Sequence, residues 1–325
     1  MKLKSLVVPV LSVTALAAAL MPATASAAAN FPCNTARLIV PWKAGGATDV
    51  IYRIMANAVN ENGDKPGLQV VNISGQGGNK GAKEARESKP DGCTLFAMHQ
   101  SAMSSYFTGR VDFSVEAFEP VALMTRTPSF LGAAIKTPWN NLQELLADAK
   151  KRPGQILAGG TLGSTSQFFF LEIEDKTGVQ FKHVPYEGDS DRMTALLAGN
   201  IDLASTNLAA AGKNIKDGTM KVLGFSGPDR TFLKDVPTFR EQGVDLVSGV
   251  DRGIVLPKGA SPEIAKHWET ALLKACKNPK VQEQLTKKGT IAICENAADY
   301  ASYLNTTFTK WKAIAKKVGV YKRKD

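Results

Sequence analysis

Two runs of small, hydroxyl-bearing residues carry the first hint of chemistry: Gly45-Gly46-Ala47-Thr48-Asp49 and Gly160-Thr161-Leu162-Gly163-Ser164-Thr165-Ser166. Each follows a short apolar stretch and leads into helical sequence. The start of a helix leaves backbone N–H groups without intrahelical partners, and the helix dipole makes that spot favourable for an anion. Gly45 and Gly46 carry no Cβ, so a ligand can come close to the backbone. The hydroxyls of Thr48, Ser164, Thr165 and Ser166 can donate to carboxylate oxygens, or they can cap their own helices. Arg252 offers a guanidinium suited to a bidentate grip on a carboxylate, unless it pairs with an acid such as Asp251 beside it. Trp42 suits either the lid over a ligand or the edge of a core, and Lys43 reads as a solvated lysine. The chemistry indicated is anion recognition rather than turnover. The chain has no G-x-S-x-G elbow, no H-E-x-x-H helix and no phosphate loop ending in GK[ST]. With no C-x-x-C, and with His99, His183 and His267 scattered, no metal site is indicated.

Such runs need strands and helices to present them, and the hydrophobic pattern supplies both. Arg37–Pro41 reads as a strand, Val50–Asn60 as a helix with Ile51, Ile54, Met55, Ala58 and Val59 on one face, then Leu68–Ile73 as a strand, Asn79–Ser88 as a helix and Thr94–Met98 as a buried strand. This βαβαβ run predicts a parallel sheet covered by helices. A second unit begins near residue 130, with strands at Phe130–Ile135, Ile156–Gly159, His183–Val184 and Ile201–Ser205 and helices at Asn141–Lys151, Gln167–Thr177 and Arg192–Ala198. Short strands at Leu223–Gly224 and Ile254–Leu256 precede three helices over 262–275, 279–288 and 298–318. Strand, Gly/Ser turn and helix thus recur once per unit. Ligands of such sheets bind at the carboxyl ends of the strands, where both turns fall.

The ends and composition bound the rest. Lys2 and Lys4, the apolar Leu6–Leu20 and Ala25-Ser26-Ala27 read as an export signal over residues 1–27. The roughly 300 residues that remain suit two domains. The formal charge of +10 includes Lys2 and Lys4. It is dispersed except at the tail (Lys316-Lys317 and Lys322-Arg323-Lys324), read here as a solvated terminal helix. Basic residues do not interleave with aromatics, so no nucleic-acid partner is expected, whereas a net positive field suits a small anion. Four cysteines in an exported chain suggest disulfides, with free buried thiols as the alternative. Cys33 lies just before the first strand and Cys93 opens the strand at Thr94–Ala97, two starts that neighbouring parallel strands would bring close together, and Cys276 and Cys294 flank one helix–strand connection. We expect Cys33–Cys93 and Cys276–Cys294, one of three possible pairings.

In order along the chain stand Val40-Pro41-Trp42-Lys43-Ala44-Gly45-Gly46-Ala47-Thr48-Asp49, Pro90-Asp91-Gly92-Cys93-Thr94-Leu95, Gly159–Ser166, His183-Val184-Pro185-Tyr186-Glu187-Gly188, Ala195–Asp202, Val236-Pro237-Thr238, Arg252-Gly253 and Leu256-Pro257-Lys258-Gly259. This series resembles the exported solute-binding proteins of tripartite tricarboxylate transporters, also called Bug proteins, over nearly the whole mature chain. The resemblance implies an α/β, two-domain periplasmic binding protein of the Venus-flytrap type II class, with two crossover segments and a ligand cleft between the domains. It implies no catalysis and no cofactor, a small organic carboxylate as ligand (a di- or tricarboxylate, or an aromatic acid), cognate membrane permease subunits as partners, a monomer and a periplasmic location. We place domain I at 28–129 and 252–325 and domain II at 130–251.

Carried over by position, the cleft residues are Trp42, Gly46, Ala47, Thr48 and Asp49 in the first loop, then Gly160, Ser164, Thr165 and Ser166 in the second. Tyr186, Gly188 and Asp189 form a third element, Asn207 follows the strand at Ile201–Ser205, and Gln100 and Ser101 follow the strand at Thr94–Met98. Arg252 completes the set. The chain departs from the family pattern at Gln167, where many members carry His, and at Asp189, where many carry Gly or Ala. An acid beside an anion is costly unless it pairs or points away. A sensory co-receptor that passes its ligand-bound form to a signalling partner is the alternative function, and an exported enzyme is the remaining one.

Overall fold

The computed structural model describes residues 30–323; the export signal read over 1–27 lies outside the described residues, as do Lys324 and Asp325. The chain begins with β1 (Thr35–Val40), α1 (Ala47–Glu61), β2 (Gly67–Asn72), α2 (Asn79–Glu87), β3 (Thr94–His99) and α3 (Ser101–Phe107). β4 (Phe118–Pro128) leads to β5 (Phe130–Ala134), α4 (Leu142–Lys151), β6 (Leu157–Gly160), α5 (Thr165–Thr177), β7 (Lys182–Pro185) and α6 (Asp189–Leu197). There follow β8 (Leu203–Thr206), α7 (Leu208–Lys216), β9 (Met220–Phe225), β10 (Gly249–Pro257), α8 (Pro262–Cys276), α9 (Pro279–Lys287), β11 (Ile291–Glu295) and α10 (Ala297–Lys317).

Among the described residues the strands form two sheets, ordered β11-β4-β10-β3-β1-β2 and β7-β6-β8-β5-β9. Each sheet with its helices forms one domain. The expectation of a purely parallel sheet needs correction. β1 pairs in parallel with β2 and β3, but β10 lies antiparallel between β3 and β4, and β11 is antiparallel to β4. The chain returns from the second domain through β10, and a returning strand enters from the opposite end. β4, β11, α3 and α7 escape the hydrophobic pattern altogether. β4 is punctuated by Pro120 and Arg126, and α3 by three serines, so neither shows a clean period.

The cores follow from the patterns that were legible. α1 buries Ile51, Met55 and Val59 against the first sheet, each fully enclosed and each stabilising by about 1.5–3 kcal/mol relative to exposure. α5 buries Phe169, Phe170 and Ile173 in the second. Cys33 pairs with Cys93 and Cys276 with Cys294, at Cα separations of 6.0 and 5.7 Å. The parallel pairing of Arg37 with Thr94 is what brings the first two together. The tail is not a solvated helix to its end. α10 stops at Lys317, and the chain then folds back, with the Lys322 N–H on the Phe107 carbonyl at 2.7 Å and the Arg323 guanidinium over the Tyr106 ring. No helix among the described residues is long and apolar enough to cross a membrane.

The chain crosses between the sheets at Ser129 and again between Phe225 and Gly249. Three serines knit the crossing: Ser226 N–H donates to Ser129 O at 2.9 Å, Ser129 N–H to Ser248 O at 3.2 Å and Ser248 N–H to Ser226 O at 3.0 Å. From α5, Glu172 accepts the Ser248 hydroxyl at 2.7 Å. These few residues carry the chain from one sheet to the other.

Candidate functional site

The carboxyl ends of β1, β6, β7 and β8 face one another across the gap between the sheets, and each feeds a helix: α1, α5, α6 and α7. Their first turns line a cavity of about 50 Å³, roughly three to five times what one water requires. From the first domain come Trp42, Lys43, Gly46, Ala47, Thr48, His99, Val250 and Arg252. From the second come Thr161, Ser164, Thr165, Ser166, Gly188–Arg192, Ser205, Thr206 and Asn207, with Ser129 at the crossing.

Alternation along β10 decides the role of Arg252. Val250 and Arg252 face the cavity, while Asp251 points the other way. There Asp251 accepts two hydrogen bonds from Arg126, at 2.6 and 2.7 Å, and one from the Tyr303 hydroxyl at 2.6 Å. Asp251 is therefore not the partner of Arg252. The Arg252 guanidinium is buried, with Nε on the Thr48 hydroxyl at 3.1 Å and Nη1 on the Thr127 hydroxyl at 2.7 Å. Nη2 has no hydrogen-bond partner, and the side chain has no carboxylate partner, among the described residues. Burial draws its pKa down to about 10, so it stays charged at neutral pH. Across the cavity, the Thr206 hydroxyl is buried and unpartnered.

His99 pairs in register with Arg252 and shares its face. Trp42 Nε1–H donates to His99 Nε2 at 2.6 Å, with the rings nearly parallel. An indole nitrogen can only donate, so Nε2 carries no proton. Burial, seconded by the positive charge of Arg252, pushes the histidine pKa down to about 3 and keeps the ring neutral. Trp42 lines the cavity as well as the edge of a core. It packs on the first core, and it stands between Gly78 and Gly188, where a Cβ would lie 3.2 and 3.7 Å away.

The second domain contributes a buried cation of its own. Arg192, on α6, donates from Nε to the Ser205 carbonyl at 3.0 Å and forms an ion pair with Asp189, one helical turn earlier. Its stem crosses Gly159, where a Cβ would sit 3.2 Å from Arg192 Cγ, so a larger residue on β6 would displace it. The acid that looked costly beside an anion is thus neutralised within its own helix. Gln167, the other departure, accepts the Gly163 N–H at 2.7 Å and closes the second loop.

Contacts also span the cleft mouth. Lys43 meets Asp191 at 2.9 Å, the Gly77 N–H donates to Glu187 at 3.0 Å, and the hydroxyls of Ser104 and Ser105 both donate to the Gly163 carbonyl at 2.9 Å. Lys43 is solvated, with 57% of its side chain exposed, and it is also paired. Exposed pairs contribute only about 0.2–1 kcal/mol. Lys43→Ala should accordingly shift the closed-to-open ratio of the unliganded protein by roughly two- to fivefold toward open, read by interdomain fluorescence transfer; an unchanged ratio would show that the pair holds nothing.

The chain matches the family model described as "Tripartite tricarboxylate transporter family receptor" over residues 51–320. It belongs to that family. The receptor is 31% identical over 311 residues to the "UPF0065 protein in gbd 5'region" of Cupriavidus necator, covering 95% of this chain and 94% of the relative. It is 26% identical to protein BugT of Bordetella pertussis, over 89% and 91% of the two chains. Among solved structures, the periplasmic binding protein BugD matches with a TM-score of 0.82 at 26% identity, over 89% of this receptor and 99% of that chain. Family and fold are those of two-domain solute-binding proteins rather than enzymes.

Of the residues expected in the cleft, the receptor brings together Trp42, Gly46, Ala47, Thr48, Ser164, Thr165, Ser166, Gly188, Asp189, Asn207 and Arg252. Five others lie behind it. Asp49 accepts from Gly45 N–H, Arg53 and Asn72, and although burial pushes its carboxyl up, these bonds hold it below its ordinary range. Gln100 bonds both ways to β10, through Gly249 O and Asp251 N. Ser101 opens α3 away from the cavity, Gly160 lies beneath the first turn of α5, and Tyr186 packs on the second domain's apolar cluster. Sequence reasoning missed His99, Thr161, Ser205, Thr206 and Arg192. For Arg192 a signal existed: it stands three residues after the questionable Asp189 on a helix, the spacing at which opposite charges meet.

Proposed function

We propose that the receptor captures a small carboxylate between its two domains and delivers it to the membrane subunits of a tripartite tricarboxylate-type transporter. The observation that carries this reading is Arg252, a buried cation without a carboxylate partner among the described residues, turned into an interdomain cavity. A buried charge without a counter-ion is costly. A bound carboxylate supplies that counter-ion, and the hydroxyls of Thr48 and Thr165 and the amide nitrogen of Asn207 complete its shell, while the Ser164 and Ser166 hydroxyls stay engaged with the Thr161 carbonyl and with each other.

The segments at Ser129 and 226–248 form the hinge between the domains, and ligand closes them onto each other. The mature protein works as a monomer in the periplasm, exported by its first 27 residues, and needs no cofactor. A thermal-shift panel of organic acids tests the reading. At a hundred times its Kd, a ligand of the folded state adds about 2.7 kcal/mol, which raises Tm by about 4 °C in a chain of this size. A panel in which no acid raises Tm contradicts it.

A further inference from the structure

We infer that the cleft selects a small acid with one negative charge, a monocarboxylate, over di- and tricarboxylates. The inference rests on the carboxylate reading above and narrows it. Among the described residues five charged side chains line the cavity: Lys43, Arg192 and Arg252 against Asp189 and Asp191. Arg192 is satisfied by Asp189, and Lys43 by Asp191. His99 stays neutral. One positive charge remains uncompensated, on Arg252.

The layout sharpens the count. Asp189 and Asp191 occupy the first turn of α6, so the positive end of that helix already faces two carboxylates. A ligand carboxylate fits against Arg252 Nη2. A second carboxylate would find no free cation, because Arg192 and Lys43 are already taken by Asp189 and Asp191. An ammonium group has no free carboxylate to join, because both aspartates are already paired.

Calorimetric titration with matched acids that differ by one carboxylate tests this: butyrate against succinate, and 2-hydroxybutyrate against malate, with citrate and aspartate alongside. The monocarboxylate of each pair should bind at least tenfold more tightly. Arg252→Gln should weaken it at least tenfold. Asp191→Asn, at a half-exposed position, raises the net cleft charge by one and should move the mono-to-di affinity ratio roughly fivefold toward the dicarboxylate. Loss of the Lys43 contact affects both members of a pair alike and leaves that ratio unmoved. If succinate, malate, citrate or aspartate binds as tightly as the monocarboxylates, or Asp191→Asn leaves the ratio unchanged, the selectivity is overturned while carboxylate capture stands. If no acid of the set binds, both fall.

Discussion

Replacing Arg192 with alanine should cost the protein about 3 kcal/mol of stability, measured as a lower urea midpoint at unchanged m-value. The guanidinium is buried, donates to the Ser205 carbonyl and neutralises Asp189. Removing one partner of a buried pair costs about 3–5 kcal/mol, because the other charge is left uncompensated. The low end applies here, since Asp189 keeps 23% of its side chain exposed to water. The companion variants separate charge from packing. Arg192→Met alone should remain costly, whereas Arg192→Met with Asp189→Asn should recover much of the loss, because both charges then leave together. A loss under 1 kcal/mol for Arg192→Ala, or a double variant no better than the single one, would mean that the pair does not hold the start of α6.

Acid should destabilise the protein through His99 well before carboxylates are protonated. In the unfolded chain this histidine titrates near its ordinary 6.5, whereas in the fold it is held down to about 3. The unfolded state therefore binds a proton between these values that the folded state refuses. The contribution is complete above pH 6.5 and is lost as pH falls below it, at up to about 1.4 kcal/mol per unit, or about 2 kcal/mol by pH 5. His99→Gln keeps an oxygen that can accept from Trp42 and removes the titration. Its stability between pH 6.5 and 4.5 should fall less steeply than that of the wild type by this amount, whatever its level at pH 7. Parallel curves for the two proteins would show that His99 is free to charge in the folded state.

The parts of the fold that the sequence displays are those whose physics is local. The face of α1, the turns at Gly45 and Gly163, and the cap at Ser164 are each set within about ten residues, and they appear where the pattern places them. The two cysteine pairings also follow from short-range geometry, once β1 and β3 are neighbours. β10 running antiparallel could not be seen, because strand direction depends on where the chain has travelled between Ala134 and Gly249. The site divides the same way. The cradles at Thr48 and Ser164–Ser166 are visible as strand–turn–helix, but their opposite wall is not. His99 joins Arg252 only through a register between strands 150 residues apart, and Thr206 reaches the cavity only because β8 lies beside β6. Asp49 misled for an instructive reason. Placed in the first turn of α1, it looks like part of the cradle, yet its carboxylate turns back to bind the loop that forms it.

The most direct measurement is a crystal structure of the protein with a bound short-chain acid. A single carboxylate should lie between the domains, with one oxygen within about 3 Å of Arg252 Nη2, the usual reach of a charge-assisted hydrogen bond, and with Trp42 still on His99. An acid held anywhere else, or one bound in this cavity with its carboxylate turned from Arg252, would contradict the account.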